Sequence, residues 1–308
     1  MNKDLLTIYN LTRDDIEEIF ERADHLKMIR EKGRVYQPLK GKILGMIFKK
    51  ASTRTRISFE VGMYQLGGGA IYLNSSDLQW ERGESIADTA KVLSQYLDGI
   101  LIRTFAHEEV ERLAEYADIP VINGLTDLLH PCQILSDIYT IKERLGEIKG
   151  VKIAYVGDGN NIANTWLIGA PKMGMDISIA SPKGYQPNKE IVEKAILIAR
   201  DNKSRVEIMK DPFRCVKDAD IIYTDVWVSM GKEGEREERW EAFKSFQVNL
   251  DLIKRAKDSV LIMHCLPAHR GEEITSEVID SERSIVFDQT RNRLHVQKGI
   301  LEILLGGR

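Results

Sequence analysis

The stretch KILGMIFKKASTRTR (residues 42–56) decides how this chain folds. Its first part, Lys42–Phe48, is a short apolar run of the length and composition of a buried strand. Ser52, Thr53, Arg54, Thr55 and Arg56 follow, and Arg56–Leu66 reads as a helix. A strand that passes through a polar turn into a helix is the repeating unit of a parallel sheet with crossover helices. The alternation extends in both directions. Upstream, Thr12 and Asp15 form a capping-box pattern, and Ile16, Ile19, Phe20, Ala23 and Leu26 recur at helical spacing before Gly33. Downstream, strands are predicted at Ala70–Leu73, Gly99–Arg103 and Ile119–Ile122, with helices over Ser85–Tyr96 and Glu108–Ala117. A second series of strands runs through Val151–Val156, Asp176–Ala180, Arg205–Ile208, Asp220–Thr224, Ser259–Met263 and Ser284–Phe287. A helix over Pro131–Leu145 joins the two series, and a last helix covers Asp288–Leu305. The fold class is therefore α/β: two α/β domains, each a parallel sheet flanked by helices, with a cleft between them. The charged run Lys232–Arg239 is too polar for a core and is expected to be a solvated loop or a mobile lid.

Composition narrows the function. The chain has 308 residues, of which 43% are hydrophobic and 30% charged, so it has ample core and is not disordered. Lys+Arg 44 against Asp+Glu 47 leaves a net charge of −3, without the basic excess of a nucleic-acid binder. No uncharged apolar run approaches the ~20 residues of a membrane helix. Met1–Asp15 lacks the apolar core of a signal peptide. Cys132, Cys215 and Cys265 are an odd, scattered set without a CxxC pair, as expected of free thiols in the cytoplasm.

Polar clusters fall just after the predicted strands. They are Ser52–Arg56, Arg103, His130-Pro131-Cys132-Gln133, Gly157-Asp158-Gly159-Asn160-Asn161, Asp225 with Ser229-Met230-Gly231, and His264-Cys265-Leu266-Pro267. Ligands of open α/β sheets bind outside the carboxyl ends of the strands, so these clusters are the candidate site. Ser52–Arg56 combines hydroxyls, guanidinium groups and a helix start, which together make an anion site rather than an ordinary cap. No GxxxxGK[ST] is present, so a small phosphate is expected rather than a nucleotide. Gly157-Asp158-Gly159 resembles a dinucleotide turn, but Ile162 stands where the third glycine belongs and no acid ends the next strand. It reads as a tight strand-to-helix turn. His25 and His107 lie on charged helical stretches and are expected at the surface. His264, Cys265 and His269 lack metal-site spacing, so no metal is expected. Asp225 and the glycine-hinged Ser229–Gly231 loop suit a small amine. The residues alone thus predict a phosphate-bearing substrate on the first domain and an amine on the second.

Together, Ser-Thr-Arg-Thr-Arg, His-Pro-Cys-Gln, Asp225 with Ser-Met-Gly, and His-Cys-Leu-Pro resemble the ornithine branch of the carbamoyltransferase family. The first motif marks carbamoyltransferases in general, and the last two mark the ornithine branch. The resemblance runs from the first helix to Asn292-Arg293, nearly the whole chain. It implies transfer of a carbamoyl group from carbamoyl phosphate to L-ornithine, without metal or organic cofactor, in arginine metabolism. It implies a carbamoyl phosphate-binding domain over 1–148, completed by a C-terminal helix over 288–308, and an L-ornithine-binding domain over 149–287. Ser52, Thr53, Arg54, Thr55 and Arg103 would hold the phosphate, with Gln79 reaching in from a neighbouring subunit of a homotrimer. Arg103, His130 and Gln133 would contact the carbamoyl group, and Cys265, Leu266 and Arg293 would complete that site. Asn161, Asp225, Ser229 and Met230 would bind ornithine, with Asp225 and Cys265 orienting its side-chain amine. Two alternatives are a transferase for another amine, such as putrescine, and a non-catalytic carbamoyl phosphate-binding protein.

Overall fold

Thr12 opens the first helix, α1 (Arg13–Glu31), with a reciprocal cap. Its hydroxyl accepts the Asp15 N–H at 3.1 Å, and the Asp15 carboxylate accepts the Thr12 N–H at 2.8 Å. Ile16, Ile19, Phe20, Ala23 and Leu26 then form the buried stripe that their spacing predicts. The computed structural model describes residues 2–306; Met1, Gly307 and Arg308, assigned above to the first domain, lie outside the described residues. The chain forms two units, one made of Thr140–Thr290 and the other of the described residues before and after that segment.

The first unit continues with β1 (Ile43–Phe48), α2 (Thr53–Gln65), β2 (Gly69–Asn74), α3 (Ile86–Tyr96), β3 (Gly99–Arg103), α4 (His107–Tyr116) and β4 (Val121–Leu125). The chain passes to the second unit within α5 (Pro131–Leu145). The four strands pair in parallel in the order β2-β1-β3-β4. β1 and β3 are central and almost wholly buried, which is why they read as continuous apolar runs rather than alternating ones. The chain winds outward from β1 to β2 and returns on the other side to β3. The switch point of the sheet therefore lies between β1 and β3.

The second unit contains β5 (Lys152–Val156), α6 (Asn161–Lys172), β6 (Asp176–Ala180), α7 (Lys189–Asn202), β7 (Val206–Met209) and α8 (Pro212–Val216). It continues with β8 (Ile221–Thr224), α9 (Arg236–Phe243), α10 (Leu250–Ile253), β9 (Leu261–His264) and α11 (Ser276–Ile279). Within α12 (Val286–Leu305) the chain returns to the first unit. Its sheet is parallel in the order β7-β6-β5-β8-β9, with the switch point between β5 and β8.

Three expectations need correction. Ser284–Phe287 is not a strand: Ser284 makes a single bridge to Ile262, and α12 begins at Val286. Ser284 closes a turn onto Ser281 at 3.0 Å, so the chain leaves the sheet edge after one rung, and Asp288 sits favourably in the helix's first turn. Lys232–Arg239 is neither a plain loop nor wholly solvated. Glu233–Glu235 form a 3-10 turn, Arg236 starts α9, and Arg239 is 3% exposed because it finds buried partners. His107 is buried rather than at the surface, with Nδ1 3.2 Å from the Thr126 hydroxyl. His25 is exposed as expected.

Candidate active site

Each unit gathers its polar clusters around its own switch point. In the first unit, Ser52 caps α2 just after β1, its hydroxyl accepting the Thr55 N–H at 3.2 Å. A helix start carries four N–H groups without intrahelical partners, so those of Thr53 and Arg54 remain for an anion, aligned with the helix dipole. Thr55 is buried, and its hydroxyl accepts a hydrogen bond from the Arg293 guanidinium at 2.9 Å. That bond joins α12 to the start of α2. Arg103 ends β3, and opposite it the edge strand β4 carries an extra residue, Gly124, as the pairing passes from Ile102–Asn123 to Arg103–Leu125. Arg56, the second arginine of the motif, turns away to Glu60 at 3.4 Å and lies over the Tyr72 ring.

His130 immediately precedes α5 and is 4% exposed. Burial first, and then the guanidinium groups of Arg293 and Arg103, hold its pKa well below the usual imidazole value. It is therefore a neutral imidazole beside two permanent cations. Gln133 is buried one turn on, and its amide donates to Asp137 at 2.8 Å. Cys132 is packed into the core, and burial pushes its thiol up to about 12, so it is inert at neutral pH. Gln79 lies apart from these residues, exposed at the start of a 3-10 turn, Gln79–Arg82.

In the second unit, Asp225 follows β8 and is 6% exposed. One carboxylate oxygen accepts the Asn160 amide at 2.7 Å, and the other accepts the Cys265 thiol at 3.0 Å and the Val226 N–H at 2.8 Å. Asn160 also caps α6 through its carbonyl oxygen, so it serves the scaffold, and Asn161 opens the helix beside it. Two glycines make this turn possible without any dinucleotide. Gly157 has φ +146°, and a Cβ on Gly159 would fall 2.2 Å from the Pro187 backbone nitrogen. Ser229 is partly buried and Met230 is 49% exposed.

Behind Cys265, His264 is fully buried. Its Nδ1 accepts the Leu266 N–H at 2.8 Å, which places its proton on Nε2, 3.0 Å from the Glu273 carboxylate. This brace supports Leu266 at φ +57°, a backbone conformation that a branched side chain disfavours. Ligand atoms of Asp225, His264 and Cys265 lie within 4.8 Å of one another. The hydrogen bonds to Leu266 and Glu273 leave His264 no ring nitrogen for an ion. Sequence reasoning placed His264 and Asp158 in the candidate clusters without giving either a partner, and it missed Glu273 and Arg239. Nothing in the local sequence signals those two pairings: Glu273 lies nine residues past His264, and Arg239 lies 81 residues past Asp158.

Known proteins match both units. Residues 3–143 match the model of the aspartate/ornithine carbamoyltransferase carbamoyl-P binding domain, and residues 149–304 match that of the Asp/Orn binding domain. An ornithine carbamoyltransferase of Syntrophus aciditrophicus is 55% identical, covering 99% of this chain and 100% of that protein. The structure of ornithine carbamoyltransferase from Pyrococcus furiosus is 53% identical, with a TM-score of 0.96 over 99% of this chain and 97% of that one. A mitochondrial ornithine carbamoyltransferase from Coccidioides immitis is 35% identical, with a TM-score of 0.91, covering 98% of this chain and 97% of that one. With both halves matched along nearly the whole chain, the chain belongs to the aspartate/ornithine carbamoyltransferase family.

Proposed function

We infer that this chain transfers the carbamoyl group of carbamoyl phosphate to the side-chain amine of L-ornithine, giving L-citrulline and phosphate, the activity of an ornithine carbamoyltransferase. The observation that carries this reading is the state of Asp225. It is a buried carboxylate whose hydrogen bonds all come from the neutral groups of Asn160, Cys265 and Val226, with no cation of the described chain paired to it. Such a carboxylate suits an amine arriving from outside, whereas aspartate as acceptor would need a cation there.

The phosphate is held by Ser52, Thr53, Arg54, Thr55 and Arg103, using the N–H groups and dipole at the start of α2. Gln133 and Arg293 complete the carbamoyl phosphate site of the first unit. Arg103 and neutral His130 donate to the carbamoyl oxygen, where negative charge develops as the tetrahedral intermediate forms. Ornithine is bound by Asn161, Asp225, Ser229 and Met230, while Asp225 and Cys265 orient its amine. In solution that amine resembles lysine, with a pKa of ~10.4, and must lose a proton to act as a nucleophile. Desolvation of the bound amine favours the loss. The neutral amine nitrogen bonds to the carbamoyl carbon and gives up one further proton, the bond from that carbon to the phosphate oxygen breaks, and the phosphate departs carrying that further proton. A Pyrococcus furiosus relative, 53% identical, bears the name "Ornithine carbamoyltransferase, anabolic", which supports the biosynthetic direction.

The working unit is a closed cyclic homotrimer in which Gln79 of one subunit reaches a neighbour's carbamoyl phosphate. Exposed Ile71 on the edge strand β2 and exposed Val92 and Tyr96 on α3 support an interface on this part of the first unit. The reaction belongs in the cytoplasm, consistent with three free cysteines; among the described residues no helix is long and apolar enough to cross a membrane.

The test is citrulline formation from carbamoyl phosphate with ornithine, measured beside putrescine, acetylornithine and aspartate as acceptors. Ornithine should be used at a rate far above the others. Preference for another amine, or binding of phosphate analogues without turnover, would overturn the assignment.

A further inference from the structure

Arg239 is a buried arginine in a run whose composition reads as solvent-exposed. Its guanidinium donates from one terminal nitrogen to the Asp158 carboxylate at 2.9 Å and to the Trp227 carbonyl at 2.8 Å. Its Nε donates to Glu235 at 2.8 Å, and the group lies over the Tyr185 ring, 5.0 Å from the centroid. Asp158 is itself 5% exposed.

The partners come from two segments of the amine half-site. Asp158 lies in the Gly157–Asn161 turn, three residues before Asn161 and two before Asn160, which holds Asp225. Trp227 lies midway between Asp225 and Ser229. Glu235 lies at the far end of the segment that carries Ser229, Met230 and Gly231. A planar guanidinium can serve several acceptors in fixed directions at once, which a lysine cannot do. A buried ion pair adds little net stability against an apolar replacement of the same shape, and its best-attested use is to fix one arrangement among several.

We propose that Arg239 is a positioning residue for ornithine, locking the Asp158 turn and the Trp227–Glu235 segment into the single arrangement in which Asn161, Asp225, Ser229 and Met230 face the same amino acid. The proposal rests on the functional reading above. Arg239 touches no substrate and acts through Asp158 and Trp227. Apolar packing keeps α9 in place independently, since Trp227 packs on both Trp240 and Phe243, at centroid distances of 5.6 and 5.9 Å. Removing the guanidinium therefore loosens the segment without unfolding the unit. Asp158 is then left buried without its counter-charge, and its pKa, already raised by burial against the pull of Arg239, rises further.

The experiment compares the unaltered chain with Arg239→Met, Arg239→Lys, Asp158→Asn and Glu235→Gln in steady-state citrulline assays. Both substrates are varied, and thermal unfolding is followed in parallel. In Arg239→Met and Asp158→Asn the KM for ornithine should rise about ten-fold or more, because small misplacements of binding groups are costly. The KM for carbamoyl phosphate should stay within about two-fold. Arg239→Lys should fall between, restoring the charge opposite Asp158 but not the fork. Glu235→Gln, at the half-exposed end of the network, should change the ornithine KM by less than about two-fold. In the double variant Arg239→Met/Asp158→Asn, the ornithine KM should be no higher than in the worse single variant, because both remove one lock. A merely structural arginine would lower the folded fraction and the maximal rate and leave both KM values alone. If Arg239→Met does not fold, Asp158→Asn, which keeps the side-chain shape, carries the same test. No citrulline from the unaltered chain would overturn both readings. Citrulline with an unmoved ornithine KM in the folded single variants would overturn the positioning role alone.

Discussion

If His130 is a neutral donor rather than a general acid, its removal should cost catalysis in a defined way. It is desolvated, and Arg293 and Arg103 oppose its protonation. At pH 7 one ring nitrogen therefore bears a proton and the other does not. One preorganised donor to a developing oxyanion is worth ~2.7–4 kcal/mol. Because Arg103 would still donate to the same oxygen, the lower figure applies, and ~2.7 kcal/mol is about a 100-fold loss in kcat. His130→Ala should show that loss, with a smaller change in the KM for carbamoyl phosphate, and His130→Gln, which keeps an N–H donor, should recover part of it. The protonation state can be read directly from imidazole nitrogen resonances between pH 8 and 6, which should stay at neutral-tautomer values for His130. Arg293→Gln removes one of the two cations and should move protonation to higher pH. The folded pKa lies below the unfolded value of ~6.5, so His130 adds stability above that pH and loses it as the pH falls further. An acid limb of kcat at ~6.5 that vanishes in His130→Gln, together with a His130 resonance titrating there, would refute the neutral-donor role.

Asp225→Asn keeps the shape of the amine site and removes its charge, so calorimetry should find carbamoyl phosphate affinity unchanged while ornithine turnover falls by about ten-fold or more; an equal loss of carbamoyl phosphate affinity would contradict the division of roles between the units. Arg54→Ala and Gln79→Ala chains, each nearly inactive, should regain roughly a quarter of full activity when unfolded together and reassembled in equal amounts, because about one interface in four then pairs two intact contributors. No recovery from correctly assembled trimers would place every site within one chain. His295 is buried in α12, and burial with Lys298, Lys27, Arg30 and Arg291 nearby lowers its pKa to about 4. The unfolded chain therefore binds that proton first as the pH falls from ~6.5 towards 4, and the folded state loses ~2 kcal/mol by pH 5, or ~1–2 after allowance for solvent screening. Denaturant titrations should show His295→Gln gaining that amount on the unaltered chain between pH 7.5 and pH 5, and a parallel pH dependence of the two would remove His295 as the cause.

Much of the fold can be read locally. Helix α1 is written in a cap and a stripe, and the strands in apolar runs. Helix α6 carries no such signal, because Ile162 through Pro171 are all buried and a helix covered on every side has no polar face to set its period. The candidate site divides in the same way. Hydroxyls and arginines at a helix start, or a carboxylate after a strand, announce their chemistry through residue type and position, and the sequence alone determined Ser52–Thr55, Arg103, His130, Asp225 and Cys265 as candidates. Only the tertiary structure could decide that Arg56 turns away to Glu60, that Arg293 reaches back 238 residues to Thr55, and that Arg239 lies inside rather than in water. Composition reports that a charge is present. Whether the charge is buried depends on a partner from another strand end, and the fold brings such partners together through contacts that no local pattern records.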